Sequence, residues 1–251
     1  MIDIHSHVLP GIDDGAATIE VSLEMLRLAG QHGTTDIVAT PHANLEYRFD
    51  GERNEALRAE LMSRSDSGVR VHLGCDFHLA FENIEDALRH PRKYTINGGN
   101  YLLVEFSDLI IFKTTSDIFG NLLGAGMIPV ITHPERNLLL QQRLKEIREW
   151  VGMGCGIQVT AQSLLGDFGS KARKFSETLM DEGLVHVIAS DAHDPVRRPP
   201  VLDKARDEVA GRWGERTAAL CLSMNPGAVL SGLPWQGVSE KRKRHWFGIF
   251  S

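Results

Sequence analysis

Histidine and carboxylate residues recur in this chain in a pattern that could hold metal ions. His5 and His7 flank one serine and Asp191 and His193 flank one alanine, while Asp13, Asp14, His42, Asp76, Glu105 and His133 come between. Nearly all of them follow short runs rich in aliphatic residues, so they are expected at or just beyond the C-terminal ends of strands, where barrel proteins carry their catalytic groups. Successive strand side chains point to opposite faces, so His5 and His7 would face one way, and Asp191 and His193 likewise. Two such pairs can converge on one pocket. Imidazoles with carboxylates suit zinc, manganese or iron, and a set without thiolates leans toward the harder ions. A lone histidine after a strand is more often structural than a ligand. Five histidines with several carboxylates over six strand ends form a set instead. His32, His72, His90, His186 and His245 lie within helices, strands or the tail and read as structural, while His78 could stand behind the ligands.

Other chemistries fail on spacing. A cysteine-dependent phosphatase needs Arg six positions after the cysteine, but those positions hold Phe81, Ala161 and Gly227. The chain has no G-x-x-x-x-G-K-[ST] phosphate loop and no G-x-S-x-G nucleophile elbow.

The elements that must position these groups alternate along the chain. Apolar runs predict strands over 1–4, 35–39, 69–73, 101–106, 128–132, 156–160 and 185–189. Helical spacing predicts helices over 18–32, 52–65, 118–126, 141–153, 171–183, 203–213 and 216–222. In the first helix Thr18 is the expected cap, ahead of Val21, Leu23, Met25, Leu26 and Ala29. Seven strands, each followed by a helix or long loop, imply a parallel, barrel-like α/β sheet. The sixth strand, ending near Thr160 and Gln162, brings no obvious ligand. With 251 residues, 42% hydrophobic and 24% charged, one large domain over 1–238 is expected. The net charge of −6 argues against general nucleic-acid binding, though bound metal would neutralise part of it.

Three distant cysteines, Cys75, Cys155 and Cys221, read as reduced thiols. Met1 is followed by no signal-peptide pattern, and no apolar run approaches the roughly 18 residues of a membrane span. A soluble, cytoplasmic protein starting at Met1 is therefore expected. Residues 239–251 form a basic-aromatic tail: Lys241, Arg242, Lys243, Arg244 and His245, then Trp246, Phe247, Ile249 and Phe250. Such a tail could touch an anionic membrane surface peripherally, at the inner face of the membrane.

The runs Asp3-Ile4-His5-Ser6-His7, Asp13-Asp14-Gly15, Thr40-Pro41-His42, Thr132-His133-Pro134-Glu135-Arg136 and Ser190-Asp191-Ala192-His193 resemble the PHP superfamily of metal-dependent phosphoesterases. Within it the sequence is most similar to the CpsB/YwqE-type bacterial protein-tyrosine phosphatases, from Met1 to about Pro226. The resemblance implies a distorted (β/α)7, TIM-like barrel and three divalent ions, manganese foremost, with iron or zinc as alternatives. It further implies hydrolysis of phosphotyrosine on a bacterial tyrosine kinase that controls exopolysaccharide or capsule synthesis. Carried over, one ion would take His5, His7, Asp76 and Asp191, and a second would share Asp76 and add Glu105 and His133. The third would take Asp14, His42 and His193, with Arg136 and Arg198 holding the phosphate. The bridging position, usually Glu in that family, is the shorter Asp76 here. Tyr47 and Phe49 could flank an aromatic substrate. The alternatives are hydrolysis of a small phosphoester such as histidinol phosphate, and a metal-binding regulatory module without catalysis.

Overall fold

The computed structural model describes residues 1–237. Its elements run β1 (Ile2–Ser6), α1 (Ile19–Gln31), β2 (Asp36–Ala39), β3 (His42–Ala43), α2 (Gly51–Arg64), β4 (Arg70–Leu73) and β5 (Asp76–His78). They continue with α3 (Phe81–Arg89), β6 (Tyr101–Glu105), α4 (Thr115–Gly124), β7 (Ile128–Thr132), α5 (Leu144–Met153) and β8 (Gly156–Thr160). Then follow α6 (Ala161–Leu165), α7 (Gly169–Asp181), β9 (Val187–Ala189), α8 (Asp203–Trp213), α9 (Glu215–Ala219) and α10 (Asn225–Ser231). The basic-aromatic tail over 239–251, with the membrane contact expected of it, lies outside the described residues.

All strand pairings among the described residues are parallel, in two sheets of order β1-β2-β4 and β3-β5-β6-β7-β8-β9. Parallel strands covered by crossover helices are apolar on both faces. Accordingly β2 and β8 are buried at every position. In α1 the Thr18 side chain accepts from Val21 N, and Leu23, Met25, Leu26 and Ala29 are buried together against Ile37 and Val71.

The strands expected over 35–39 and 69–73 form as β2 and β4, but each is followed, after a break, by a short further strand that the sequence pattern does not predict. The second breaks at Thr40-Pro41, where proline has no N–H for the ladder, and resumes as β3. The third breaks at Gly74-Cys75 and resumes as β5. A Cβ on Gly74 would lie 3.0 Å from Ile96 and 3.1 Å from Val38, so a larger residue would crowd the break. After each break the strand exchanges neighbours: β2 pairs with β1 and β4, whereas β3 pairs with β5. The second halves carry His42 and Asp76.

The sheets also meet beyond β9. Asp191 N donates to His5 O at 2.9 Å and His7 N to Ala192 O at 2.8 Å. Helices α3, α6 and α10 go beyond the sequence-based expectation, because they are short and mostly lack a long apolar stripe. The helix expected over 216–222 is instead α9, a widened turn at Leu220–Met224, and α10 with Pro226 in its first turn.

Candidate metal centre

The strand ends and the loop after β1 bring all nine expected ligands into overlapping groups. Four groups of donor atoms lie within 4.8 Å of one another: His7, Asp14, His42 and His193; His5, His7 and Asp76; His5, His133 and Asp191; and His42, Asp76 and Glu105. The set Asp14, His42 and His193 is gathered as the resemblance implied, with His7 joining it. Of the first set, His5, His7 and Asp76 gather together, and Asp191 Oδ1 lies close to both His5 and His7 while also grouping with His5 and His133. Of the second, Asp76 and Glu105 gather with His42. His133 Nε2 still approaches Glu105 to 3.9 Å.

Asp76 belongs to two groups. Its Oδ2 lies 3.6 Å from His5 Nε2 and 3.3 Å from His42 Nδ1. These three atoms and His7 Nε2 are buried without a hydrogen-bond partner among the described residues. Buried polar atoms are normally satisfied, so nitrogens facing a carboxylate oxygen with nothing bonded between them are what a cation site looks like. Charge points the same way. Burial, then the neighbouring Asp76, pushes Glu105 up, a like-charge conflict that a cation relieves. Burial alone would lower His42, but Asp14 and Asp76 outweigh it and hold it up at about 11. Burial takes His133 down to about 3, keeping it neutral. These donors fit divalent ions bound by nitrogen and oxygen.

Supporting bonds aim the ligands. His7 Nδ1 meets Asp13 Oδ2 at 2.8 Å, and His5 Nδ1 meets Gln158 Oε1 at 3.0 Å, leaving each Nε2 to the pocket. Carboxylate or amide partners of this kind fix tautomer and ring orientation. Asp13, which the sequence offered beside Asp14 as a ligand candidate, thus falls behind His7, and only Asp14 enters a donor group. Gly15 permits the arrangement, since a Cβ there would stand 2.2 Å from His7 O. Asp3, quoted only as part of its motif, is fully buried and pushed up to about 6 by burial. It accepts from Ser190 Oγ at 2.5 Å and Ser190 N at 3.0 Å, fastening β1 to the Asp191 strand end. Gln158 and Asp3 went unread in the sequence; a charged residue inside an otherwise apolar first strand was the available signal. His133 and Asp191 both hold positive φ, at 33° and 51°, strain of the kind that gathers at functional sites.

Two guanidinium groups border the ligands. Arg136 Nη1 and Arg198 Nη2 both donate to Asp191 Oδ2, the latter at 2.6 Å, while Asp191 Oδ1 lies 3.4 Å from His5 Nε2 and from His7 Nε2. Asp191 therefore joins the imidazoles to the arginines. Tyr47 stacks on His42 with centroids 5.9 Å apart; Phe49 packs on Tyr94 instead. His78 Nδ1 stands 3.7 Å from Glu105 and belongs to no donor group. His32, His72, His90 and His186 have partners elsewhere: Asp203, Asp36, Asp86 and the Ile157 amide. All three cysteines are free and buried, and burial pushes Cys155 and Cys221 up to about 12, leaving no reactive thiolate there.

Nitrogens and carboxylates left open for cations, with cationic side chains beside them for an anion, equip a metal-dependent phosphoesterase on a parallel α/β scaffold. The chain belongs to the CpsB/CapC family of capsular polysaccharide synthesis, whose model matches residues 1–231. It is 34% identical to CapC of Staphylococcus aureus over 99% of this chain and all of that protein. Among solved structures it matches one from work on YwqE of Bacillus subtilis and CpsB of Streptococcus pneumoniae, described as metal-dependent tyrosine phosphatases. That match has a TM-score of 0.85 and 31% identity and covers 96% of this chain and 100% of the other. Dihydropyrimidinase of Brevibacillus agri shares the fold alone, at a TM-score of 0.56 and 13% identity over 95% of this chain and 72% of its own.

Proposed function

We propose that this protein is a metal-dependent protein-tyrosine phosphatase whose substrate is the phosphotyrosine of a bacterial tyrosine kinase controlling capsule or exopolysaccharide synthesis. The observation that carries the reading is the unpartnered set His5 Nε2, His7 Nε2, His42 Nδ1 and Asp76 Oδ2, set beside two arginines that share Asp191. In this reading the two sheets make one distorted (β/α)7 barrel and a single domain, its seam closed by the β1 contacts with Asp191 and Ala192. The site would hold three divalent ions, manganese foremost, with iron or zinc as alternatives. His5, His7, Asp14, His42, Asp76, Glu105, His133, Asp191 and His193 are the ligands, and Asp76 is the shared one. Bound, such ions supply Lewis acidity and acidify water from a pKa near 16 to about 7.

The chain's own residues do the rest. Asp13 and Gln158 hold the imidazoles in the tautomer that offers Nε2. A phosphoryl group entering the pocket competes with Asp191 Oδ2 for Arg136 and Arg198, whose planar donors match phosphate oxygens bidentately. Their charge then opposes the negative charge that develops in the transition state. Tyr47 walls the pocket and can face an aromatic leaving group. A phenolate leaves with a solution pKa near 10, a moderate demand for protonation. Free, buried cysteines accord with a cytoplasmic location, and among the described residues no helix is long and apolar enough to cross a membrane.

The test is phosphate release from phosphotyrosine peptides, phosphoserine peptides, histidinol phosphate and p-nitrophenyl phosphate, before and after chelation. Phosphotyrosine should be preferred, chelation should abolish turnover, manganese should restore it, and Cys155→Ser should be neutral. Preference for a small phosphoester, or inactivation by thiol alkylation with the ions still bound, would refute the reading.

A further inference from the structure

The C-terminal end of β8 gives no side chain to any of the donor groups, yet it is dense in buried polar residues. Gln158, Thr160, Ser163 and the neighbouring Glu135 are all fully buried. Burying polar groups is costly unless they are bonded to some purpose. Gln158 Oε1 has its purpose in His5; Glu135 Oε1, Ser163 Oγ and the backbone N–H of Thr160 lead to the arginines.

Glu135 immediately precedes Arg136. Its Oε1 accepts from Thr160 N at 3.0 Å and Ser163 Oγ at 2.7 Å, which fastens the loop after β7 to the first turn of α6. Gln141 Nε2 donates to the Glu135 carbonyl at 2.7 Å and ties the same loop from its other side. Helix α6 stops at Gly166, and Gly169 follows three residues on, both with positive φ. That double turn delivers Phe168 to the arginines: the Arg136 guanidinium carbon lies 4.3 Å from the ring centroid and that of Arg198 lies 6.0 Å away. From the same helix Gln162 Nε2 donates to Arg197 O at 3.0 Å, holding the backbone next to Arg198. One segment thus touches both arginine-bearing loops and enters no donor group.

We propose that Thr160–Phe168 is the platform that positions Arg136 and Arg198, with Glu135 and Phe168 as its positioning residues. Glu135 sets the loop from which Arg136 projects. Phe168 sets the guanidinium planes, so that they keep their orientation when a phosphoryl group replaces Asp191 as their partner. A long side chain with many rotamers would otherwise have to be ordered at each encounter. The strand end without a ligand for metal thereby serves the anion. The proposal rests on the assignment of the two arginines to the phosphate, and its test separates the two ideas.

The experiment measures kcat and KM on a phosphotyrosine peptide with the manganese-loaded full chain. The variants are Phe168→Ala, Phe168→Tyr, Glu135→Gln, Arg136→Ala with Arg198→Ala, and that arginine pair combined with Phe168→Ala. Metal content and Tm are followed in parallel. Phe168→Ala should lower kcat/KM about tenfold, the scale of a partly desolvated cation–π contact, with metal content unchanged. Phe168→Tyr should restore it. In the background without the arginines the same change should cost less than about twofold, because coupled residues do not add. Glu135→Gln, which weakens the charge-assisted acceptor of Thr160 N and Ser163 Oγ to a neutral one, serves if Phe168→Ala fails to fold; it should lower kcat/KM severalfold, and that loss should likewise vanish when it is combined with the arginine pair. Full activity in Phe168→Ala, or equal losses with and without the arginines, would overturn the platform alone. Wild-type activity without both arginines would overturn the phosphate assignment and the platform with it.

Discussion

Replacing Asp13 with alanine should weaken divalent-metal binding by about ten- to a hundredfold, the range for loss of an outer partner of a ligating histidine. Asp13 Oδ2 lies 2.8 Å from His7 Nδ1 with both side chains buried, and it also accepts from His42 N at 3.3 Å. Its Oδ1 takes the Gly15 amide at 3.0 Å. A buried, charge-assisted bond of this kind contributes roughly 1.5–3 kcal/mol, or about 10- to 150-fold in an equilibrium constant. Without it the ring is free to carry its proton on Nε2, the atom that should face the ion. At neutral pH an opposing effect of similar size offsets most of this loss, which is expected in full only as the pH approaches about 9. Burial alone would lower His7, but Asp13 overrides it and holds it up at about 9, so below that pH the ion must first displace a proton. The deficit should therefore grow between about pH 7 and about pH 8.5 as this competition fades. Isothermal titration with manganese at both pH values, using the apo-protein and Asp13→Ala, measures it. A variant affinity within about threefold of wild type at the higher pH would refute the orienting role, since threefold is well below the range for such partners.

Arg136→Ala should lower kcat/KM by about a hundredfold while metal content stays near wild type, because a bidentate phosphate contact gains strength in the transition state. Phosphate release with elemental analysis of the same samples checks this, and full activity would make Arg136 structural. Asp36 is held well below the ordinary carboxylate range, first by Arg70, with His72 and Thr35 adding to it. A depressed carboxylate contributes stability above its unfolded pKa of about 3.9 and loses it as pH falls through the folded value. Asp36→Asn should thus lower Tm at neutral pH, with the gap to wild type closing in acid. Parallel melting curves at several pH values test it, and a pH-independent gap would contradict it.

The candidate ligands were legible because metal chemistry restricts residue types and strand ends are easy to find. His5 lies in β1 and His7 one residue past it, so the period of a strand reached that pair, whereas Asp191 and His193 lie beyond β9, with Asp191 at positive φ, where that period does not apply. Which donors share an ion was not legible: the side chains converge from most of the strand ends, and spacing within one says nothing about neighbours in space. Gln158 looked like an ordinary polar residue, and only tertiary packing puts it on His5. Phe168 meets Arg136 across 32 residues and Arg198 across 30, a contact no local pattern announces. The strand breaks at Pro41 and Gly74 were present in the sequence as a proline and a glycine. They read as strand ends because pairing partners, which alone show that the strand resumes, are not written locally.

The seam between Asp3 and Ser190 joins residues 187 positions apart. On a ribosome adding about 5–20 residues per second, β1 would wait roughly 10–40 s for that partner to be made. Until then His5 and His7 have neither Asp191 nor His193 beside them, and the buried carboxylate of Asp3 has no Ser190 to bond. A nascent chain stopped just before Asp191 would hold most of the sheet but not the whole site. On the proposed assignment, occupancy of the groups that contain Asp191 and His193, rather than of those complete by Glu105, would report that synthesis has passed His193 and that the first strand has found its late neighbour. The long wait leaves one edge of β1 open to wrong partners, its other edge being paired early with β2.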